Sequence, residues 1–140
     1  MSKWNLLFIS WITACVATAG SLFFSEVMNY PPCSLCWYQR ILLYPLVLIF
    51  GVGLWTEDAS YKKYVYPMAG LGLAVAAYHN LLYFGIISEE LAPCTQELSC
   101  TNKQLELFGF LTIPLLSLFG FLMIMVLTWL DSRVGEKYEK

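Results

Sequence analysis

The stretch WNLLFISWITACVATAGSLFFS, residues 4–25, holds 22 residues without a formal charge. That meets the need of about 20 apolar residues for a helix that crosses a bilayer. A cleaved signal peptide is the competing reading, with Lys3 as the charged start, Trp4 to Val16 as the apolar core and Ala17-Thr18-Ala19 as the cleavage site. The apolar run continues through Leu22-Phe23-Phe24, which suits an uncleaved span better. Three further stretches follow, giving spans at about 4–25, 37–55, 64–87 and 107–130 with intervening outer loops at 26–36 and 88–106. The second span carries Arg40 as its only charge, the third contains His79, the only histidine, and Pro114 predicts a kink in the fourth. With 140 residues, 59% of them hydrophobic and 13% charged, the chain lies far from the soluble norm of about 25% charged. These features predict a single all-α membrane domain, a bundle of four transmembrane helices.

Lysine and arginine set the expected orientation. Lys3, Lys62, Lys63, Arg133, Lys137 and Lys140 fall on one side and only Arg40 and Lys103 on the other, so six of the eight basic residues mark the cytoplasmic face. Both termini are then inside, and both outer loops face an oxidising compartment where disulfides persist. The expected location is the cytoplasmic membrane, multi-pass, with lipid as surroundings. A net charge of -2 is too balanced to imply nucleic acid as a partner. There is no repeat, low-complexity tract or glycine-rich nucleotide motif.

The chemistry concentrates in Pro31-Pro32-Cys33-Ser34-Leu35-Cys36-Trp37-Tyr38-Gln39-Arg40. Consecutive prolines stop a helix, so the thiols stand at the mouth of the next one, where the positive end of its dipole favours thiolate. Arg40 follows Cys36 by four residues, on the same helical face and about a turn away. Cys94 and Cys100, with five residues between them, make a second pair in the other outer loop. Two exchangeable pairs facing one compartment suggest relay by thiol–disulfide exchange. Two other readings of the four cysteines stay open: inert structural staples, and a four-thiolate site for zinc or Cu(I). Staples across such short loops contribute little stability, and the oxidising side disfavours the metal. Cys15, deep in the first span, reads as a small packing residue. His79 is expected roughly 12 Å deep, some eight residues from the outer end of its span at 1.5 Å rise per residue. Arg40 and His79, with neighbouring aromatics, could form a pocket for a polar-headed lipophilic molecule. The plainer alternatives are an arginine snorkelling to headgroups and a histidine bonded to another helix. Trp4, Trp37, Tyr38, Trp55, Tyr61, Tyr64 and Trp129 read as an interfacial belt.

The run Cys33-x-x-Cys36-x-x-x-Arg40 after a first span resembles the signature of the DsbB family of membrane thiol oxidases, most of all its short Gram-positive BdbC branch. The resemblance extends to four spans, a cysteine pair in each outer loop, and the stretch from Phe108-Gly109 to Ile113-Pro114 at the opening of the fourth span. It implies a thiol:quinone oxidoreductase that reoxidises an extracytoplasmic thioredoxin-like thiol oxidase of the DsbA or BdbD type and passes electrons to a membrane quinone, expected to be menaquinone. By the same resemblance, Cys94 receives the partner's thiolate and Cys100 exchanges with Cys33. Cys36 is then the quinone-facing thiolate, stabilised by Arg40, with His79 near the quinone. The spacing between Cys94 and Cys100 is shorter than in proteobacterial members, and Tyr83 stands where many relatives carry glutamine. Quinone-linked reductases of the vitamin K type share the bundle and the chemistry but place their C-x-x-C near the last span, whereas here it precedes the second.

Overall fold

The computed structural model describes residues 3–91, 106–107 and 111–139. Four long helices carry the fold: α1 (Lys3–Leu22), α2 (Ser34–Thr56), α3 (Lys62–Tyr83) and α4 (Ile113–Glu139). The segments Trp4–Val27, Ser34–Thr56 and Ile113–Lys137 are long and apolar enough to cross a membrane by length and composition. α3 has 22 residues and is more polar, carrying Lys62, Lys63, His79 and Asn80. It packs between α2 and α4, and α1 closes the ring between α2 and α4.

The inward stripes explain that packing. Buried positions recur at Leu35, Gln39, Leu43, Leu46, Phe50 and Gly53 in α2 and at Val65, Ala69, Gly72, Ala76 and His79 in α3. In α4 they are Pro114, Phe121, Ile124, Thr128 and Asp131. Steps of three and four keep one stripe facing its neighbours in an up-and-down bundle. Phe50, Phe121, Leu46 and Ile124 form its centre. Outside that stripe, large apolar side chains such as Leu48, Val52, Leu71 and Phe119 are exposed, as expected where the surrounding solvent is lipid.

Several expected boundaries move. The first span continues past α1 as a π-helical turn, Phe23–Val27, and the second begins at Ser34. α3 ends at Tyr83, short of residue 87, because Gly85 takes a left-handed turn with φ 73°. Pro114 is the second residue of α4, where a proline is tolerated without a kink. Pro45 and Pro67 instead lie inside α2 and α3. A two-residue antiparallel ladder, β1 (Glu106–Leu107) with β2 (Leu111–Thr112), precedes α4.

α4 runs on past the apolar stretch, through the charged residues from Asp131, to Glu139. Asp131 is only 3% exposed. Its Oδ2 accepts from the Tyr61 hydroxyl at 2.5 Å and pairs with Lys62 Nζ at 2.7 Å. Tyr61, expected in the aromatic belt, is therefore buried beneath the turn joining α2 to α3 and packs on Phe50, with ring centroids 5.8 Å apart. Burial and then the bond to Asp131 push its phenol pKa up. These contacts place the α2–α3 turn and the end of α4 together, at the end of the bundle away from Cys33.

Gly72 marks the tightest crossing of α3 and α4, since an added Cβ would lie 2.2 Å from a Phe121 ring carbon. Gly70, two residues earlier, has nothing within 4 Å of that position. Gly72→Ala is therefore expected to destabilise the bundle by about 1–3 kcal/mol through overpacking, while Gly70→Ala leaves it unchanged or slightly more stable. Thermal unfolding of the two purified variants in detergent checks the contrast.

Candidate functional site

Pro31-Pro32 keeps the chain out of helix until Cys33, which is the N-cap of α2 with extended backbone (φ −71°, ψ 170°). The Trp37 N–H donates to the Cys33 carbonyl at 3.1 Å and closes the first helical turn. That turn brings Cys36 back over Cys33, with the two sulfurs 3.1 Å apart and both thiols free. Cys33 is buried among Leu35 and Leu82, with Val75, Tyr78 and Ile87 around them.

α3 supplies the third member of the cluster. His79 Nε2 lies 3.8 Å from Cys33 Sγ, and its Nδ1 lies 3.1 Å from the side-chain nitrogen of Gln39. With Gln39 donating to Nδ1, the neutral ring carries its proton on Nε2, toward the sulfur. His79 is four residues from the end of α3, about 6 Å along the axis at 1.5 Å per residue. The separation from the helix end is shorter than the eight residues expected, because α3 stops at Tyr83.

Cys33, one residue outside the spanning helix, is held well below the usual thiol range, at about 4. Hydrogen bonding from Cys36 is the largest cause, burial opposes it, and His79 adds to the lowering. The dithiol is thereby poised to present one sulfur as thiolate, the form that attacks disulfides.

Arg40, one turn after Cys36 on α2, makes its hydrogen bonds to α1. Its Nε donates to the Ser21 hydroxyl and a terminal guanidinium nitrogen donates to the Ser21 carbonyl, each at 2.9 Å. The guanidinium also lies over the Trp37 ring, 5.5 Å from its centroid. The bonds to Ser21 tie it to α1. Arg40, Cys33, Cys36, Gln39 and His79 all line one cavity of about 620 Å³. Val16 and Gly20 of α1 and Leu116, Phe119, Gly120 and Met123 of α4 contribute to its apolar walls, with Phe24, Tyr30 and Tyr83 also on the lining.

Of the residues singled out in the sequence, Cys33, Cys36, Arg40 and His79 converge here. Cys94 and Cys100 lie outside the described residues. Cys15 is a half-buried free thiol in α1 and is not part of the cavity wall. Gln39 and Ser21 were not anticipated. Gln39 was detectable as an uncharged polar residue on the inward stripe of α2, where burial demands a partner. Ser21 carried no such signal.

The profile of disulfide bond formation protein DsbB matches residues 2–130. The chain belongs to the DsbB family. It is 48% identical over 124 residues to a probable disulfide formation protein of Oceanobacillus iheyensis, covering 88% of this chain and 86% of that one. It is 43% identical over 133 residues to disulfide bond formation protein C of Bacillus subtilis, covering 95% of each. No solved structure matches it. DsbB-family disulfide formation proteins are oxidoreductases.

A folded pKa below the unfolded one means that the Cys33 thiolate stabilises the reduced protein fully above about pH 9, and that this contribution is lost as pH falls through about 4. In a chain with Cys15, Cys94 and Cys100 replaced by serine, thiolate ultraviolet absorbance is expected to titrate with a first midpoint near 4. Cys36→Ala removes the largest cause, and the midpoint then rises toward the ordinary thiol range.

Proposed function

We propose that the chain is a membrane thiol:quinone oxidoreductase. Electrons from a thioredoxin-like thiol oxidase enter at Cys94/Cys100, pass to Cys33/Cys36 and leave to a membrane quinone, menaquinone by resemblance. The observation that carries this reading is the placement of the 3.1 Å sulfur pair on the lining of an apolar cavity of about 620 Å³ with Arg40 and His79 beside it. A lipophilic ring with polar oxygens fits such a chamber, since its walls are apolar and its few polar groups converge near the sulfurs. A quinone bound there would accept the two electrons released when the Cys33–Cys36 pair closes to a disulfide, together with the Cys36 proton and a second proton taken up from water.

The remaining work falls to the chain's own groups. By the family resemblance Cys33 exchanges with the outer-loop pair and Cys36 serves the acceptor, and both residues line the cavity. Arg40, anchored through Ser21, holds a fixed positive charge on the cavity wall that favours anions on sulfur and on a reduced acceptor. His79, with Gln39 fixing its ring, holds a proton at Nε2 beside the Cys33 sulfur. The lysine-bearing end of the bundle faces the cytoplasm and the cysteine end faces outward, by the excess of basic residues at the former.

With a reduced thioredoxin-like oxidase as donor, Cys33→Ser or Cys36→Ser is expected to abolish quinone reduction by the purified protein. Wild-type rates in either variant would overturn the assignment. Arg40→Ala should leave both cysteine pairs able to form disulfides while raising the quinone KM by about 10- to 100-fold, the loss of one charged interaction of about 1.5–3 kcal/mol. Stopped-flow quinone reduction, with thiol counting in parallel, separates the two effects.

A further inference from the structure

We propose that reduced Cys33 and Cys36, together with His79, form a binding site for zinc that exists only while the pair is reduced. One donor atom from each residue lies within 4.8 Å of the other two. Two thiolates on a tetrahedral zinc, with bonds of about 2.3 Å, stand about 3.8 Å apart, and a sulfur and an imidazole nitrogen about 3.5 Å apart. The sulfurs here are 3.1 Å apart and Cys33 Sγ is 3.8 Å from His79 Nε2. Changes of under an ångström in each of these two separations reach the zinc geometry. The donors come from two helices already packed together, so the site is preformed by the fold. All three residues line the cavity, which leaves a fourth coordination position for water or an anion.

Zinc requires an unprotonated Nε2, so the ring proton must move to Nδ1. Gln39 is placed to allow this, because a half-turn of its amide presents oxygen instead of nitrogen to Nδ1 across the same 3.1 Å. Gln39 would then orient the ligand in the manner of an outer-shell partner. Binding joins the cation to the Cys33 thiolate and to Cys36, whose thiol proton is released, and no electrons move. Closing the disulfide removes both anionic ligands, so the cation leaves. Zinc in the outer compartment therefore holds the pair reduced and halts turnover, whatever the electron acceptor is.

The test uses the full-length chain in detergent with Cys15, Cys94 and Cys100 replaced by serine, so that no other thiol competes. The anaerobic, phosphine-reduced protein is titrated with Co²⁺ as the spectroscopic probe and then with Zn²⁺. Sulfur-to-cobalt charge-transfer absorption is expected to saturate at one Co²⁺ per chain, to be displaced by Zn²⁺, and to be absent from the disulfide form. His79→Asn, which keeps a polar group toward Gln39 and removes Nε2, should weaken Co²⁺ binding by about tenfold or more. X-ray absorption at the zinc edge of the parent chain should show two sulfurs and one imidazole nitrogen, a readout that needs no variant at position 79. Failure of the reduced chain to bind, Co²⁺ affinity unchanged by His79→Asn, or a zinc shell without imidazole would each overturn the site. None of these outcomes bears on quinone reduction, which is measured separately.

Discussion

The meeting of α2 and α3 at Gln39, His79 and Cys33 is the contact on which the rest of the site depends. Gln39 and His79 both occupy inward-stripe positions of their helices, where an unpaired polar group costs several kcal/mol. Each satisfies the other across 3.1 Å, and this mutual need fixes the rotation of the two helices about their axes. Once that rotation is set, the opposite ring nitrogen must face the first turn of α2, where the proline pair has placed Cys33. A small shift in helix phase would separate sulfur from imidazole without altering either helix.

The same economy governs the other polar groups near this end. Arg40 is tied to Ser21 of α1. The Asn80 side-chain nitrogen donates to the carbonyls of Ala76 and Pro114 at 2.8 Å each and so joins α3 to the start of α4. All four helices are thereby linked near the cysteines by hydrogen bonds or side-chain contact, while the walls of the cavity remain apolar. The opposite end is held by an ionic cluster, Lys62 and Tyr61 on Asp131. A bundle braced at both ends can keep an open chamber between α1 and α4, lined in part by Gly20 and Gly120, without collapsing its core around Phe50 and Phe121.

Much of this was legible in the residues. Charge-free runs of about 20 residues leave few alternatives to membrane helices, because backbone groups in lipid must bond within their own segment. The spacing Cys33-x-x-Cys36 at the mouth of a helix after two prolines is a local pattern, and local geometry alone brings those sulfurs together. Arg40 was expected near them on the same grounds, since the helical repeat requires it. Two departures were local, since Gly85 ends α3 early and Pro114 belongs to a first turn, whereas the burial of Asp131 depends on Lys62 and Tyr61, far away in the chain.

The sequence by itself determined the helical membrane class and the dithiol at the head of α2, because hydropathy and the 3.6-residue repeat act over short separations. Tertiary structure alone decided that His79 faces Cys33 through Gln39, that Arg40 is turned onto Ser21, and that a chamber opens beside the sulfurs. Those relations depend on how helices distant in sequence are rotated against one another, and no single helix carries that information, since rotation is set by the partners that its buried groups find.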